Sequence, residues 1–529
     1  MRIVTAEQMR AIEQEAFDRG VEPFTLMGEA GRAAVRAILA RLGPRARDTR
    51  AVVLVGPRNN GGDGLVIAEG LAEAGLRLTL WLYRRDGLGG APVAADLFAR
   101  LSTIRAAEDP ERVALQRMLA EATLVIDAIY GIGGRGALAP DLDAALHAAN
   151  ERGRAPGVLT VAVDIPTGVQ SDSGAMAGTA FDADLTVTFG RPKRGLYLPP
   201  GLGHSGTIAI EPIGLAEGGL PADTPRLIAR DDALDRLPRR TKAAHKGDAG
   251  SLLIVGGSRN YLGAPILAAH AALRAGAGLV TLAVPAGLVP ICAPQSPEST
   301  YVPLPEAEWG VAGPEAATVL ANALGRYTAL QIGNGLGRHA PTDEALARFF
   351  GLHPRQAGAA PTLDMPILID ADGLNWLGTV PDWWERLRQF SLVLTPHHGE
   401  MARLLGVERI TVSADPWRHA REAAAKWGQV VVLKGGHSVV ATPGGDLWVT
   451  PSANPALASA GTGDTLAGLI AGFLAQGLAP ADAAVLGLWV GARAADLASA
   501  EFGTLPLLAS DLPRMIARTI RALETGNDE

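Results

Sequence analysis

At 529 residues the chain is too long for one hydrophobic core, and 48% hydrophobic with 19% charged residues is the balance of an ordinary folded protein. A formal charge of −7, with both signs scattered along the sequence, argues against nonspecific nucleic-acid binding, which needs clustered Lys and Arg. Cys292 is the only cysteine, which excludes intrachain disulfides and cysteine-rich zinc sites and leads us to expect a reducing, cytoplasmic setting.

Met1 to Gly20 sets Glu7, Glu13, Glu15 and Asp18 among apolar positions, the pattern of an amphipathic helix and not of a signal peptide. Short apolar, strand-like runs then alternate with longer Ala/Leu-rich runs. In the first half they are 51–55, 78–83, 122–126, 159–163 and 185–188. The Gly/Pro-containing stretch 216–225 breaks the rhythm and is the expected boundary, giving domains 1–217 and 225–525. In the second half the runs are 251–255, 278–283, 329–332, 366–369, 391–394 and 430–433. Runs of this kind fit strands buried on both faces, hence parallel sheets under helices in two α/β domains. The uncharged stretch 465–481 carries several glycines and falls short of the ~20 apolar residues a membrane span needs, so a core helix is expected and no membrane partner. A last helix is expected near 511–524.

In open α/β sheets ligands bind beyond the carboxyl ends of the strands, and the candidate motifs collect there. Asn59-Asn60-Gly61-Gly62-Asp63-Gly64 reads either as an anion-type loop that lets a ligand approach the backbone or as an ordinary Asn/Gly turn. An Asn side-chain oxygen, the strand-end carboxylate Asp127 and the Thr167 hydroxyl are hard donors that suit an alkali or alkaline-earth cation better than zinc. Asp164, followed by Ile165-Pro166-Thr167, either holds a carboxylate over a ligand or caps the next helix. Gly131-Ile132-Gly133-Gly134-Arg135-Gly136 is a flexible glycine loop with one cation, suited to a phosphate. Near the other end, Gly461-Thr462-Gly463-Asp464-Thr465 opens an apolar helix and offers N–H groups to an anion. Asp464 there is either a base for a hydroxyl attacking phosphorus or a plain N-cap.

The motifs GPRNNGGDG (56–64), DAIYGIGGRG (127–136), VDIPTGVQSDSG (163–174) and TFGRPKRGL (188–196) resemble the NAD(P)H-hydrate epimerase domain. The resemblance implies a Rossmann-like three-layer α/β/α domain that interconverts the R and S epimers of hydrated NADH and NADPH. By it Asn59, Asn60, Gly61, Gly62, Asp63 and the segment Gly131, Ile132, Gly133, Gly134, Arg135, Gly136, Ala137 bind the hydrate. Asn60, Asp127 and Thr167 hold potassium, and Asp164 works at the reacting carbon. Pro57-Arg58 departs from the small glycine-containing turn expected before the Asn pair.

In the second half Lys246-Gly247-Asp248, Gly256-Gly257-Ser258, Asp370-Ala371-Asp372-Gly373, Thr395-Pro396-His397-His398-Gly399-Glu400, Lys434-Gly435-Gly436-His437-Ser438 and Gly461–Thr465 occur in the order of the ADP/ATP-dependent NAD(P)H-hydrate dehydratase, of ribokinase-like fold. That resemblance implies Asp464 as base, with Ala264, Gly335 and His397 lining the hydrate. Lys434, Gly435, Gly436, His437, Ser438 and Gly463 take an adenine nucleotide, with magnesium alongside. Asn334 stands where a Pro is more usual, a change expected to matter little in a backbone-lined site, and motif register alone does not say which of His397 and His398 faces the ligand. Bacterial-type fusions of the two activities imply a homo-oligomer and a preference for ADP over ATP. The alternative is a small-molecule kinase behind a nucleotide-binding module.

Overall fold

The computed structural model describes residues 1–134, 136–216, 218–241, 243, 245, 247–353 and 363–526. Two units, Met1–Thr224 and Pro225–Glu529, hold most of their contacts internally.

The first unit is built on β1 (Arg50–Val55), β2 (Arg77–Leu82), β3 (Ser102–Arg105), β4 (Leu124–Ala128), β5 (Leu159–Val163), β6 (Leu185–Phe189) and β7 (Thr207–Glu211). They pair in parallel in the order β3-β2-β1-β4-β5-β6-β7. Alternation along a strand sends side chains to opposite faces. Val53 and Val55 pack with Ala34, Ile38 and Leu65 from helices Pro23–Leu42 and Asn59–Glu73. Val52 and Leu54 pack with Leu115, Leu119 and Leu146 from helices Val113–Glu121 and Pro140–Gly153. The result is the three-layer, Rossmann-like arrangement expected. Chain order reverses between β1 and β4, which opens a crevice beyond their carboxyl ends. The edge strands β3 and β7 carry no run of buried apolar residues, which is why sequence pattern missed them.

The second unit contains β8 (Arg226–Leu227), β9 (Ser251–Val255), β10 (Leu279–Pro285), β11 (Thr300–Leu304), β12 (Glu306–Glu308), β13 (Val311–Ala312) and β14 (Ala329–Ile332). After them come β15 (Ile367–Ile369), β16 (Leu392–Leu394), β17 (Val430–Leu433), β18 (Val439–Ala441) and β19 (Leu447–Val449). The main sheet runs β11-β10-β9-β14-β15-β16-β17-β18-β19-β8. It is not parallel throughout, as the apolar runs suggest: β17–β18 and β18–β19 are antiparallel. The short Lys434–Ser438 link between β17 and β18 cannot carry the crossover a parallel return requires.

Helices Gly263–Ala275 and Thr462–Ala475 meet along a seam of small residues on one face of this sheet. A Cβ at Gly468 would stand 2.0 Å from the Ala268 carbonyl oxygen, and one at Gly472 would stand 2.9 Å from Ala272 Cα. Only glycine permits that approach. The uncharged 465–481 stretch is divided between the buried helix ending at Ala475 and the start of helix Pro480–Phe502. This second helix is, among the described residues, the one long and apolar enough to cross a membrane, and most of its apolar window is buried in the core.

Candidate functional site

In the first unit the Asn59–Asp63 motif is not a loop. It forms the first turn of helix Asn59–Glu73. Three glycines are tolerated because each faces something a side chain would strike: Cβ atoms at Gly61, Gly62 and Gly64 would lie 1.9 Å from Gly56 O, 2.7 Å from Met27 Sδ and 2.4 Å from Ala128 Cβ. The helix start is thereby pressed onto the ends of β1 and β4. The Pro57-Arg58 departure is held by Arg85, whose buried guanidinium donates to Gly56 O and Arg58 O, both at 3.1 Å.

Beyond these strand ends lies a cavity of about 1260 Å³, lined by Asn59, Asn60, Asp63, Gly131 to Gly134, Gly136, Ala137 and Asp164. Arg135 lies outside the described residues. Asp164 sits at φ +67° in a tight turn closed by Ile165 N donating to Val163 O, so it ends β5 without capping a helix. Its Oδ1 is paired with Lys193 Nζ at 2.6 Å, a lysine whose side chain is 2% exposed. Oδ1 also accepts from Thr188 Oγ1 at 3.3 Å, and Oδ2 accepts from Ile132 N at 3.3 Å. A Cβ at Gly131 would meet Asp164 Oδ2 at 2.8 Å and Asn60 Oδ1 at 3.2 Å, so both acceptors converge on the glycine loop.

Asp127 lies inside β4 and not just past it, bonded to Thr167. Thr167 donates from its backbone N to Oδ2 at 2.7 Å and from its hydroxyl to Oδ1 at 2.8 Å. Burial pushes the Asp127 carboxyl up to about 6, against the pull of these hydrogen bonds. The buried Asn60 leaves both side-chain atoms, Oδ1 and Nδ2, without a partner among the described residues. An orphaned buried amide oxygen together with a carboxylate and a hydroxyl fits an oxygen-ligated cation.

Sequence reasoning gives no role to Lys193 or Glu13. Lys193 is reached because Val4 pairs with it across an isolated bridge, and Arg194 N donates to Val4 O. Glu13, on helix Ala6–Asp18, lines the cavity. Burial first, then the nearby Asp164 charge, raises the Glu13 carboxyl, and the same two causes raise that of Asp63 further.

In the second unit Gly461 takes φ +89° and helix Thr462–Ala475 begins behind it. Asp464 is not an N-cap: its Oδ1 accepts from Asn334 Nδ2 at 2.7 Å. The same Nδ2 donates to Asp370 Oδ2 at 3.0 Å, and Gln331 Nε2 fixes the amide by donating to Asn334 Oδ1 at 2.7 Å. The Asn334 side chain thus bonds both acids, so this wall is not lined by backbone alone as expected, and a Pro here would lose both bonds. Burial raises the Asp464 carboxyl, and the Asn334 bond opposes that.

Lys434 Nζ pairs with Asp370 Oδ1 at 2.6 Å and would lie 3.5 Å from a Cβ at Gly463, which sets its charge beside the 461–464 turn. Burial alone would lower this amine, but Asp370 and Glu400 outweigh it and raise it. Gly435 and Gly436 are exposed, while His437 is buried and donates from Nδ1 to Thr450 O at 2.8 Å. Ser438 Oγ accepts from Gly435 N at 3.2 Å and so closes the turn.

Gly335 and Ala264 adjoin: a Cβ at Gly335 would be 3.0 Å from Ala264 Cβ and 2.7 Å from Tyr261 O. His397 caps helix His398–Leu405, its Nδ1 accepting from Gly399 N at 2.9 Å and Glu400 N at 3.1 Å. Burial and then Lys434 lower its imidazole to about 4, so it is neutral. His398 instead bonds Ser413 Oγ through Nδ1 at 2.9 Å and turns Nε2 toward Gly435. Lys246 lies outside the described residues. Among the described residues no three His, Cys, Asp or Glu side chains gather as a metal cage.

Residues 252–518 match the family model for NAD(P)H-hydrate dehydratase, and residues 23–195 match that for the YjeF-related protein N-terminus. The bifunctional NAD(P)H-hydrate repair enzyme of Moorella thermoacetica is 35% identical over 99% of this chain and 97% of its own. This chain belongs to the bifunctional NAD(P)H-hydrate repair enzyme family. The Coxiella burnetii member is 36% identical over 96% of each chain. A solved structure of the ADP/ATP-dependent NAD(P)H-hydrate dehydratase from Bacillus subtilis, co-crystallised with ATP/Mg2+, is 30% identical and covers 56% of this chain and 99% of its own, with a TM-score of 0.48. The second unit is the ribokinase-like α/β domain of the family, and Asn334, Asp370, Lys434 and Asp464 all lie within its dehydratase match. Asn60, Asp127, Asp164, Thr167 and Lys193 lie within the N-terminal match, whereas Glu13 precedes it.

Proposed function

We propose that residues 1–217 interconvert the R and S hydrates of NADH and NADPH, and that residues 225–525 dehydrate the S hydrate with an adenine nucleotide, ADP by preference. The observation that carries the first half is the Asp164–Lys193 pair at the cavity wall, 2.6 Å apart and facing the glycine loop with Asn60. Epimerising a carbon that bears a hydroxyl beside a ring nitrogen needs a proton handler and confined water. Asp164, held in place by Lys193, handles the proton. Asn59, Asp63 and the 131–137 segment hold the dinucleotide. Asn60, Asp127 and Thr167 would hold potassium, which supplies fixed positive charge next to the site when bound.

In the second half the Asp464–Asn334–Asp370–Lys434 chain orients the reaction. Hydroxide leaves poorly, so the hydrate oxygen first attacks the terminal phosphorus of the nucleotide and gives its proton to Asp464, while the bridging P–O bond breaks and its electron pair leaves on AMP (from ADP) or ADP (from ATP). Phosphate then departs with its C–O bond pair, and loss of the neighbouring proton restores the dihydronicotinamide ring. Lys434 and the N–H groups of the 461–464 turn balance charge on the transferred group. Gly435, Gly436, His437 and Ser438 form the nucleotide strap, and Ala264, Gly335 and His397 line the hydrate. Magnesium, present with ATP in the Bacillus crystals, would arrive on the phosphates with most of its shell water, as suits a site without an acid cage among the described residues.

The test follows near-ultraviolet absorbance of the reduced ring on mixed-epimer NADH hydrate with ADP, ATP or neither. Full nucleotide-dependent recovery is expected, and potassium should speed the epimerisation more than sodium. Recovery that stops at one epimer removes the epimerase half. No recovery, with phosphorylation of an added small alcohol instead, hands the second half to the kinase reading.

A further inference from the structure

Glu13 has no part in the epimerisation so far described, although it faces the same cavity as Asp164. Helix Ala6–Asp18 is fixed at its start by a reciprocal cap: Thr5 Oγ1 accepts from Gln8 N at 3.2 Å and Gln8 Oε1 accepts from Thr5 N at 2.9 Å. The segment before it is strapped to the loop that carries Lys193 through Val4 N to Pro192 O at 2.9 Å, and to the segment between β5 and β6 through Ala6 N to Asp172 Oδ1 at 2.6 Å. One turn on, Arg10 lines the cavity and reaches the glycine loop with Nη2 to Ile132 O at 3.3 Å. Glu13 is the next residue of that helix face, and it too lines the cavity. It makes no hydrogen bond or ion pair among the described residues, unlike Asp164 with its lysine. The charged groups around it are Asp164, Asp63, Lys193 and Arg10.

We propose that Glu13 is a second catalytic residue of the epimerase cavity, sharing proton transfer with Asp164; this rests on the epimerase reading. One carboxyl protonates the hydroxyl on the carbon beside the ring nitrogen. The C–O bond breaks, its electron pair leaves with water, and the nitrogen lone pair closes a C=N+ bond. Water then adds to the opposite face, its electrons form the new C–O bond, and its proton goes to the other carboxylate. The net change is inversion at carbon and one proton moved between two acids, which proton exchange with bulk water restores before the next turnover. Two acids with unlike partners, one lysine-clamped and one unpaired, suit this exchange. The elevation of the Glu13 carboxyl by burial agrees with its holding the proton.

The experiment measures R-to-S conversion by the full chain against pH, with S-hydrate dehydration by the same preparation as the activity control and thermal unfolding of the first unit as the fold control. Glu13→Gln is expected to lower kcat about 100-fold with KM changed less than threefold, and to remove one limb of the pH profile. Glu13→Asp, which keeps an acid and guards against misfolding, should retain both limbs with a lower kcat. Wild-type turnover in water labelled with heavy oxygen should place the label in every inverted molecule. Glu13→Gln with kcat within threefold of wild type, a raised KM alone, or inversion without label each overturns the proposal. A wild-type chain that dehydrates but never epimerises overturns the underlying reading instead, and is distinguished from failure of Glu13 by that control.

Discussion

The two units hold the carboxylates proposed to carry their chemistry in opposite ways. Asp164 is clamped directly by a buried lysine, Lys193. Asp464 is held by a neutral amide, Asn334, and the lysine of its site is spent on a different acid, Asp370. The lysine fixes its acid with a buried charge, whereas the amide orients its carboxylate without one and only partly offsets the rise that burial causes. Each arrangement suits its proposed chemistry. A clamped carboxyl handles the proton at the reacting carbon in the first unit, and a base that must accept a hydroxyl proton stands in the second.

The strongest way to break this comparison is to neutralise each acid in turn. Asp464→Asn is expected to slow nucleotide-dependent dehydration by about a thousandfold while epimerisation, followed by chromatography of the two epimers, stays at the wild-type rate. Asp164→Asn should do the converse, by about a hundredfold or more. A matched loss of both activities in either variant would mean that the sites do not work separately.

Removing the clamp comes next. Lys193→Met strands a buried carboxylate, and losing one partner of a buried pair costs about 3–5 kcal/mol. The thermal unfolding of the first unit should move down clearly, and epimerisation should slow with it. In the second unit Asn334→Ala should cost only about tenfold in dehydration, since the base itself remains. Because the Asn334 bond pulls the Asp464 carboxyl down, its removal should move the acidic limb of the pH–rate profile to higher pH. An unmoved limb would show that the amide only shapes the turn.

The smallest expected effect concerns His397 and Glu400. Folding holds the imidazole near 4, below the ordinary 6.5, so its contribution to stability is present above pH 6.5 and is lost as pH falls toward 4. Glu400 acts in the opposite sense. Burial raises it from 4.5 to about 7, so its contribution is present at low pH and fades as pH rises through that window. His397→Asn, which keeps an acceptor at the cap, should flatten the acid loss in urea titrations, and Glu400→Gln should steepen it.

What the sequence makes legible follows the same division. Asp164, Asp464, Asn60 and Lys434 stand just past buried strands or at glycine turns, where local pattern marks them. Their partners do not. Lys193 meets Asp164 because β5 and β6 pair side by side, and Asn334 meets Asp464 only because β14 lies beside the helix that Gly461 starts. Contacts between distant segments leave no local period to read. The Asn59–Gly64 segment misleads for a different reason. A run of glycines looks like looseness, whereas each of these serves close packing inside a helix. The antiparallel end of the second sheet stays hidden because a buried strand has the same apolar run whichever way it pairs.

The glycine seam between helices Gly263–Ala275 and Thr462–Ala475 has a consequence for how this site can change. One helix begins beside Ala264, on the proposed hydrate wall, and the other begins at the proposed phosphate turn. Backbone touching backbone at Gly468 works as a caliper with its jaws shut, so the gap between the two ligands is set by main chain. A drift toward bulkier substrates therefore has to come from the loops on either side. A single methyl group added to the seam would part both walls together.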